Sequence, residues 1–454
     1  MLGDQVPRMS GSVARKTVLR CIGCGNTVDL LRERKFRCEN CKSLFDVWHD
    51  FYPMDASRVA TLKSHFNTRT TPRLWNAEPQ TRSGVWRFKE LIMPDLADED
   101  IVSLGEGIVP IVPAGEHLRD WIGGDIDISL ILEGSGPTGS FKDFGGTVMM
   151  SVAKAAGVGF VGCASTGDTS AMAAAYAAAA GITCFVLLPE GKVTPVQLMQ
   201  PGAHGARVIT VPGTFDDCMR IVQELVAHHG VYPANSLNPA RIEGHQATVF
   251  LIAQAMRWKL PDWFAVPVGN GSNCSSIGKG MRLLEQLKFV DATSRILGCQ
   301  AEAANPLARS WVAVKDRCPG PSRIQGWQEA FQPVKVGETT ATAARIGDPV
   351  SRHKVMREID ASNGVMQTVA EDQLNEAVFV CAKDGLLVCP QTGIALAGVR
   401  HAVERGYIQR GEKVVVVSTA TGLKFGDVFE SRSMERIERA ADTSPSTIAR
   451  MLKL

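Results

Sequence analysis

Two kinds of apolar stretch alternate along most of the chain. Short runs of apolar β-formers read as strands at 128–132, 159–164, 183–188, 207–211, 263–268, 296–300 and 413–418. Between them lie segments whose apolar and small residues recur at helical spacing, such as 147–156 and the alanine-rich 171–180. Strand and helix in regular alternation predict a doubly wound, mostly parallel α/β architecture. Parallel strands carry ligands at their carboxyl ends, and each motif singled out below follows such a strand. The pattern divides the chain into a ribbon-like segment at 1–50 and a connector at 51–100. A large α/β domain follows from 101–144 and 233–454, with a smaller α/β domain at 145–232. The connector has helical pieces punctuated by Pro53, Pro72, Pro79 and Pro94. Residues 309–340 are the least regular part, centred on Cys318-Pro319-Gly320-Pro321, and read as a long surface excursion.

At 454 residues the chain is long enough for two or three domains with a large core. Its 49 basic and 47 acidic residues nearly cancel, so charge gives no reason to expect nucleic-acid or membrane partners. The longest apolar candidate, 171–180, falls well short of the ~18 residues a membrane span requires. Residues 1–20 are mildly basic without an apolar core, and no secretory leader is expected. The 12 cysteines, mostly within apolar strands, suit a reducing compartment, and a cytoplasmic location is expected.

Four of the cysteines form a Cys-x2-Cys-x13-Cys-x2-Cys array: Cys21, Cys24, Cys38 and Cys41. Two such knuckles can close a tetrahedral site, and a structural zinc is expected. A metal-free relict ribbon and a redox pair are the other readings. Further on, the strand at 128–132 runs into a turn holding Gly134, Gly136, Pro137 and Gly139. Ser140 stands where a helix N-cap would, with Lys142 a turn into the helix that follows. A lysine at such an elbow faces a cleft, where burial lowers its pKa and makes the amine a nucleophile; the plainer reading is a solvated helix lysine.

Gly269-Asn270-Gly271-Ser272-Asn273 joins a strand to a helix and can cup a phosphate with backbone N–H groups. Position 274 is Cys, which rules out a dinucleotide fingerprint, and no Walker loop occurs there. Ser165-Thr166-Gly167-Asp168-Thr169 also joins strand to helix and suits a carboxylate or phosphate; the alternative is a well-capped helix with Ser165 or Thr166 as N-cap. Arg241 is either a fixed charge for such a group or a surface arginine.

Pro137-Thr138-Gly139-Ser140-Phe141-Lys142-Asp143 resembles the cofactor-lysine motif of the threonine synthases, which are fold-type-II pyridoxal phosphate enzymes. The resemblance continues, in family order, through 163–171, 235–244, 266–273, 345–351, 389–393 and 417–425. It implies two doubly wound domains of the tryptophan synthase β type, and a phosphate-eliminating lyase that turns O-phosphohomoserine and water into threonine. Lys142 would carry pyridoxal phosphate, Asp168 would lie by the phenolic oxygen, and 269–273 would hold the phosphate. The Thr419 hydroxyl would face the pyridine nitrogen. Ser165, Thr169, Ser236 and Arg241 match positions that hold the leaving phosphate, with Thr166 beside them. Similar ribbons precede some threonine synthases, and a homodimer is expected.

The chain departs from that pattern at Phe144, at His245-Gln246 in place of the usual Gln-Lys, and at Thr421 in place of a histidine. The last two put the substrate in question more than the cofactor. Replacement chemistry on another phosphorylated amino acid, such as phosphoserine with sulfite, is therefore the main alternative. A non-catalytic protein of this fold, with the ribbon as an interaction module, is the other.

Overall fold

The computed structural model describes residues 12–70, 78–165, 167–190, 195–434, 440–441 and 444–452. Among these, strands assemble into three sheets. The first is a small antiparallel ribbon of β1 (Ala14–Cys21), β2 (Thr27–Asp29) and β3 (Phe45–Phe51), in the order β2-β1-β3.

The second sheet has six strands: β4 (Ile111–Pro113), β5 (Asp127–Leu132), β10 (Trp263–Pro267), β11 (Arg295–Ala301), β12 (Val365–Val369) and β13 (Lys413–Ser418). Their order is β12-β11-β10-β13-β5-β4, parallel except for the β4–β5 edge pair. The third sheet contains β6 (Phe160–Ala164), β7 (Thr183–Pro189), β8 (Arg207–Val211) and β9 (Tyr232–Pro233), all parallel in the order β8-β7-β6-β9. The apolar runs read from the sequence supply the central strands. The short or less apolar β4, β9 and β12 gave no comparable signal.

Between the two large sheets lies the helix Lys142–Ala155, nearly all of it buried. Glycines let its neighbours approach backbone to backbone. A methyl on Gly244 would fall 1.8 Å from the Phe144 carbonyl oxygen, and one on Gly146 would fall 2.4 Å from Met172 Cγ. Met172 belongs to the alanine-rich helix Asp168–Ala180, whose thin side chains permit that contact. No helix among the described residues is long and apolar enough to cross a membrane.

Apolar packing and charge together fasten the ribbon to the body: Leu19, Phe45 and Val47 join the main hydrophobic core, and ion pairs cross the same seam. Lys354, 2% exposed, pairs with Asp46 at 2.6 Å and donates to the Phe45 carbonyl at 2.7 Å. Lys279 donates to the Val47 carbonyl at 2.6 Å and pairs with buried Glu243, which His49 approaches to 3.3 Å. Pairing of this kind offsets the cost of burying these charges.

Residues 309–340 differ from the expected surface excursion. They include much of the helix Pro306–Val312 and all of Pro321–Ala330. Trp311 and Trp327 pack at a centroid distance of 4.6 Å inside the core. The Pro-Gly-Pro cluster punctuates two short helices, and apolar anchors so far apart in sequence conceal their shared burial.

Candidate active site

β5, β13 and β10 are parallel neighbours ending at Leu132, Ser418 and Pro267. At ~4.8 Å per strand step, the three loops leaving them open onto one crevice. The first carries Lys142, the second Thr419 and the third the 269–273 turn. The lysine elbow is tied to the second loop: the Phe141 N–H donates to the Thr419 carbonyl at 2.8 Å, and Ser140 bridges Ala420. Gly139 takes φ +80, a conformation that favours glycine, and its carbonyl accepts the Thr421 N–H at 3.1 Å.

Lys142 opens its helix instead of lying a turn inside it. The capping position is Phe141, and the Ser140 hydroxyl accepts the Lys142 N–H at 3.4 Å. The side chain is half-buried, with Nζ 3.5 Å from the Phe141 ring centroid. Burial, then the nearby Arg241 charge, lowers its pKa to about 7, so the neutral amine is well populated at neutral pH.

The 269–273 turn has the shape of an anion cradle. Gly271 takes φ +87, where a methyl would fall 2.5 Å from Val355 Cγ2, and Ser272 begins the helix Ser272–Gln286. The Asn270 amide oxygen accepts the Val350 N–H at 3.3 Å, and its carbonyl accepts the Ser351 N–H at 3.0 Å, fixing the loop. Asn273 is 5% exposed, yet neither side-chain amide atom has a partner among the described residues. The Thr419 hydroxyl lies 3.4 Å from Cys389 Sγ, and its N–H donates to the Thr392 hydroxyl at 3.3 Å.

The four-stranded sheet supplies the opposite wall. Asn235 grips the end of β6, donating to the Ala164 carbonyl at 3.1 Å and accepting its N–H at 3.4 Å. Ser165 and Ser236 are the next residues on each segment. Helix Asp168–Ala180 is capped by Gly167 without a side-chain bond, so Ser165 is not its N-cap; its hydroxyl accepts the Gly167 N–H at 3.3 Å. Thr169 lies in the first turn, half-buried. Thr166 lies outside the described residues.

Arg241 is fully buried in the helix Pro239–His245, contrary to a surface arginine. Nη1 donates to the Ala234 carbonyl at 2.8 Å, while Nε and Nη2 have no partner among the described residues. Burial lowers the guanidinium to about 10.

Several groups here had no assigned role from sequence. Lys424 pairs with Asp168 at 2.8 Å and donates to the Thr138 carbonyl at 2.9 Å, linking the two sheets across the crevice. It stands in the 417–425 motif, the signal that marks it. Glu133 is fully buried; the Thr248 hydroxyl donates to one oxygen, and the other is unpartnered. Burial raises it to about 8, leaving it mostly protonated at neutral pH. Asp143, raised by burial to about 7, accepts from the Thr138 hydroxyl and N–H at 2.6 and 2.9 Å.

In the ribbon, Cys21, Cys24, Cys38 and Cys41 bring their sulfur atoms within 4.8 Å of one another. That donor set matches a tetrahedral thiolate site.

A lysine elbow, a glycine cradle and a buried arginine facing one crevice define the class, an anion-binding α/β enzyme with a reactive amine. Residues 102–420 match the model of the pyridoxal-phosphate dependent enzyme family. Chloroplastic threonine synthase 2 of Arabidopsis thaliana is 37% identical over 388 residues, covering 84% of this chain and 72% of its own. The threonine synthase of Methanocaldococcus jannaschii is 36% identical over 436 residues, covering 96% and 99%. The crystal structure of Escherichia coli threonine synthase shares the fold, with TM-score 0.67 at 18% identity over 93% of each chain. The chain belongs to the threonine synthase family of pyridoxal-phosphate dependent enzymes.

The residues present fit that cofactor. Asn273 offers buried polar atoms, unpartnered among the described residues, on a glycine turn that packs too closely on Val355 to admit a methyl at Gly271, and Lys142 offers a low-pKa amine.

Proposed function

We propose that this chain converts O-phosphohomoserine and water to threonine and phosphate. The observation that carries this reading is Arg241, a fully buried guanidinium with two unpartnered nitrogens beside the lysine elbow. A buried charge left open in this way calls for an anionic ligand. Ser165, Thr169 and Ser236 complete the phosphate pocket, and Thr166 is assigned to it by its place in the 163–171 motif.

Lys142, Asp168, Thr419 and the backbone and side chains of 269–273 hold pyridoxal phosphate, which when bound acidifies the protons next to the substrate's α-amine. Lys142 then moves protons at Cα and Cβ, a task suited to an amine near pH 7. Thr419 would offer the bound cofactor a neutral hydroxyl partner, supporting a weaker electron sink than an aspartate would and favouring loss of the γ-phosphate over transamination. Arg241 keeps the departing phosphate in place, where it can serve as a local base while water adds at Cβ. Lys424 neutralises Asp168 without occupying the cradle.

We also assign a structural zinc to Cys21, Cys24, Cys38 and Cys41, a homodimeric assembly, and a reducing cytosolic setting suited to the free thiols.

The test has two stages. Borohydride treatment of the purified protein is expected to fix the cofactor on Lys142; a label elsewhere removes the catalytic reading. Phosphate release is then measured from O-phosphohomoserine, and from O-phosphoserine with and without sulfite. Faster turnover of the second pair would replace threonine synthesis with the replacement chemistry for which His245, Gln246 and Thr421 leave room.

A further inference from the structure

Arg241 and His245 stand four residues apart on one helix, so their side chains leave the same face. Both pack on Gly145 of the lysine helix: a methyl there would fall 2.6 Å from His245 Nε2 and 2.8 Å from the Arg241 carbonyl oxygen. The imidazole also lies 4.9 Å, centroid to centroid, from the ring of Phe141, the residue before Lys142. It is 1% exposed, and among the described residues neither ring nitrogen makes a full hydrogen bond, although the Phe141 backbone approaches the ring. With Nε and Nη2 of Arg241, that leaves three donor nitrogens, one of them on the neutral imidazole, without a full partner among the described residues on one helix face beside the lysine elbow. Unpaired donors are costly inside a protein and persist where a ligand completes them.

We propose that His245 contacts the substrate directly, its ring N–H donating to an oxygen of the phosphate that Arg241 holds. The proposal rests on the phosphate-pocket reading above. Burial first, then the charges of Arg241 and Lys142, hold the imidazole far below its usual pKa. It is therefore a neutral donor at working pH, adding a directed hydrogen bond to the fixed charge of the arginine. The Phe141 ring and Gly145 fix where that N–H points. Specificity for the phosphate ester thus comes partly from a residue absent from the usual Gln-Lys pair.

The test measures inorganic phosphate binding to the cofactor-loaded enzyme, as competitive inhibition and by imidazole ¹⁵N resonances. The spectrum of His245→Gln assigns the His245 signals among nine histidines. His245→Phe keeps the ring shape without a donor and should weaken phosphate about tenfold. His245→Gln keeps an N–H donor and should stay within about threefold of wild type. The His245 resonances should shift as phosphate is added. If they stay fixed while Arg241→Ala weakens phosphate, the pocket stands and His245 is not part of it. If Arg241→Ala leaves phosphate binding unchanged, the pocket itself fails and the proposal falls with it. Should the Phe variant not fold, the wild-type resonances decide alone.

Discussion

Replacing Arg241 by Met should move function and stability in opposite directions. Its guanidinium is fully buried and held down to about 10, which corresponds to a burial cost of roughly 3 kcal/mol. The group stays protonated at any assay pH near neutrality, so the whole cost is present there and is relieved only as pH rises beyond about 10. Met fills similar space without charge and removes that cost. It also strips the Ala234 carbonyl of its 2.8 Å donor, a loss of about 1 kcal/mol. A net gain of about 2 kcal/mol remains. With an unfolding entropy of about 2.1 cal/mol/K per residue, the thermal midpoint of a chain of 454 residues rises by about 2 °C. Substrate binding should go the other way, because two open donor nitrogens no longer meet the phosphate. Losing one side of a buried charge pair costs about 3 kcal/mol, which raises KM for O-phosphohomoserine roughly a hundredfold. Calorimetric scanning of the cofactor-free protein and a phosphate-release assay on the loaded enzyme read the two effects separately. A lowered midpoint with unchanged KM would refute the reasoning, since Arg241 would then be an ordinary structural cation.

Other predictions follow from the same site and its supports. Because the Lys142 amine is depressed to about 7, the rate at which cofactor-free protein takes up pyridoxal phosphate should climb up to about pH 7 and then level off; a rate still climbing steeply past roughly pH 9 would restore an ordinary lysine. Gly244→Ala places a methyl 1.8 Å from the Phe144 carbonyl oxygen and should destabilise the protein by about 3 kcal/mol, read as a lowered denaturant midpoint. Gly202→Ala, at a helix position where a methyl meets nothing within 4 Å and φ is ordinary, is the control and should not lower that midpoint, helix propensity adding about 0.5 kcal/mol of stability at most. Cys38→Ser should abolish stoichiometric zinc by metal analysis, and a zinc content equal to wild type would defeat the ribbon assignment.

The sequence alone determined the strand–helix alternation, the cysteine ribbon and the location of the chemistry on loops after strands. These are local properties: a run such as 413–418 or a turn such as 269–273 has the same meaning whatever surrounds it. By resemblance it also named Lys142, Arg241 and Thr419. Tertiary structure decided what those residues can do. Whether Arg241 was a solvated helix arginine or an open buried charge depended on packing between the helix Pro239–His245 and the lysine helix, brought together through Gly145 and Gly244. The same packing orphaned the His245 ring nitrogens and set the lysine pKa, since desolvation comes from neighbours distant in sequence. Lys424 reached Asp168 only because the last strand of the six-stranded sheet ends opposite the first helix of the four-stranded one. The helices within 309–340 were hidden for a related reason, because Trp311 and Trp327 are buried by each other and not by any local pattern. Periodicity reports which face of an element is buried; only the assembled fold says against what, and that partner sets charge state and chemistry.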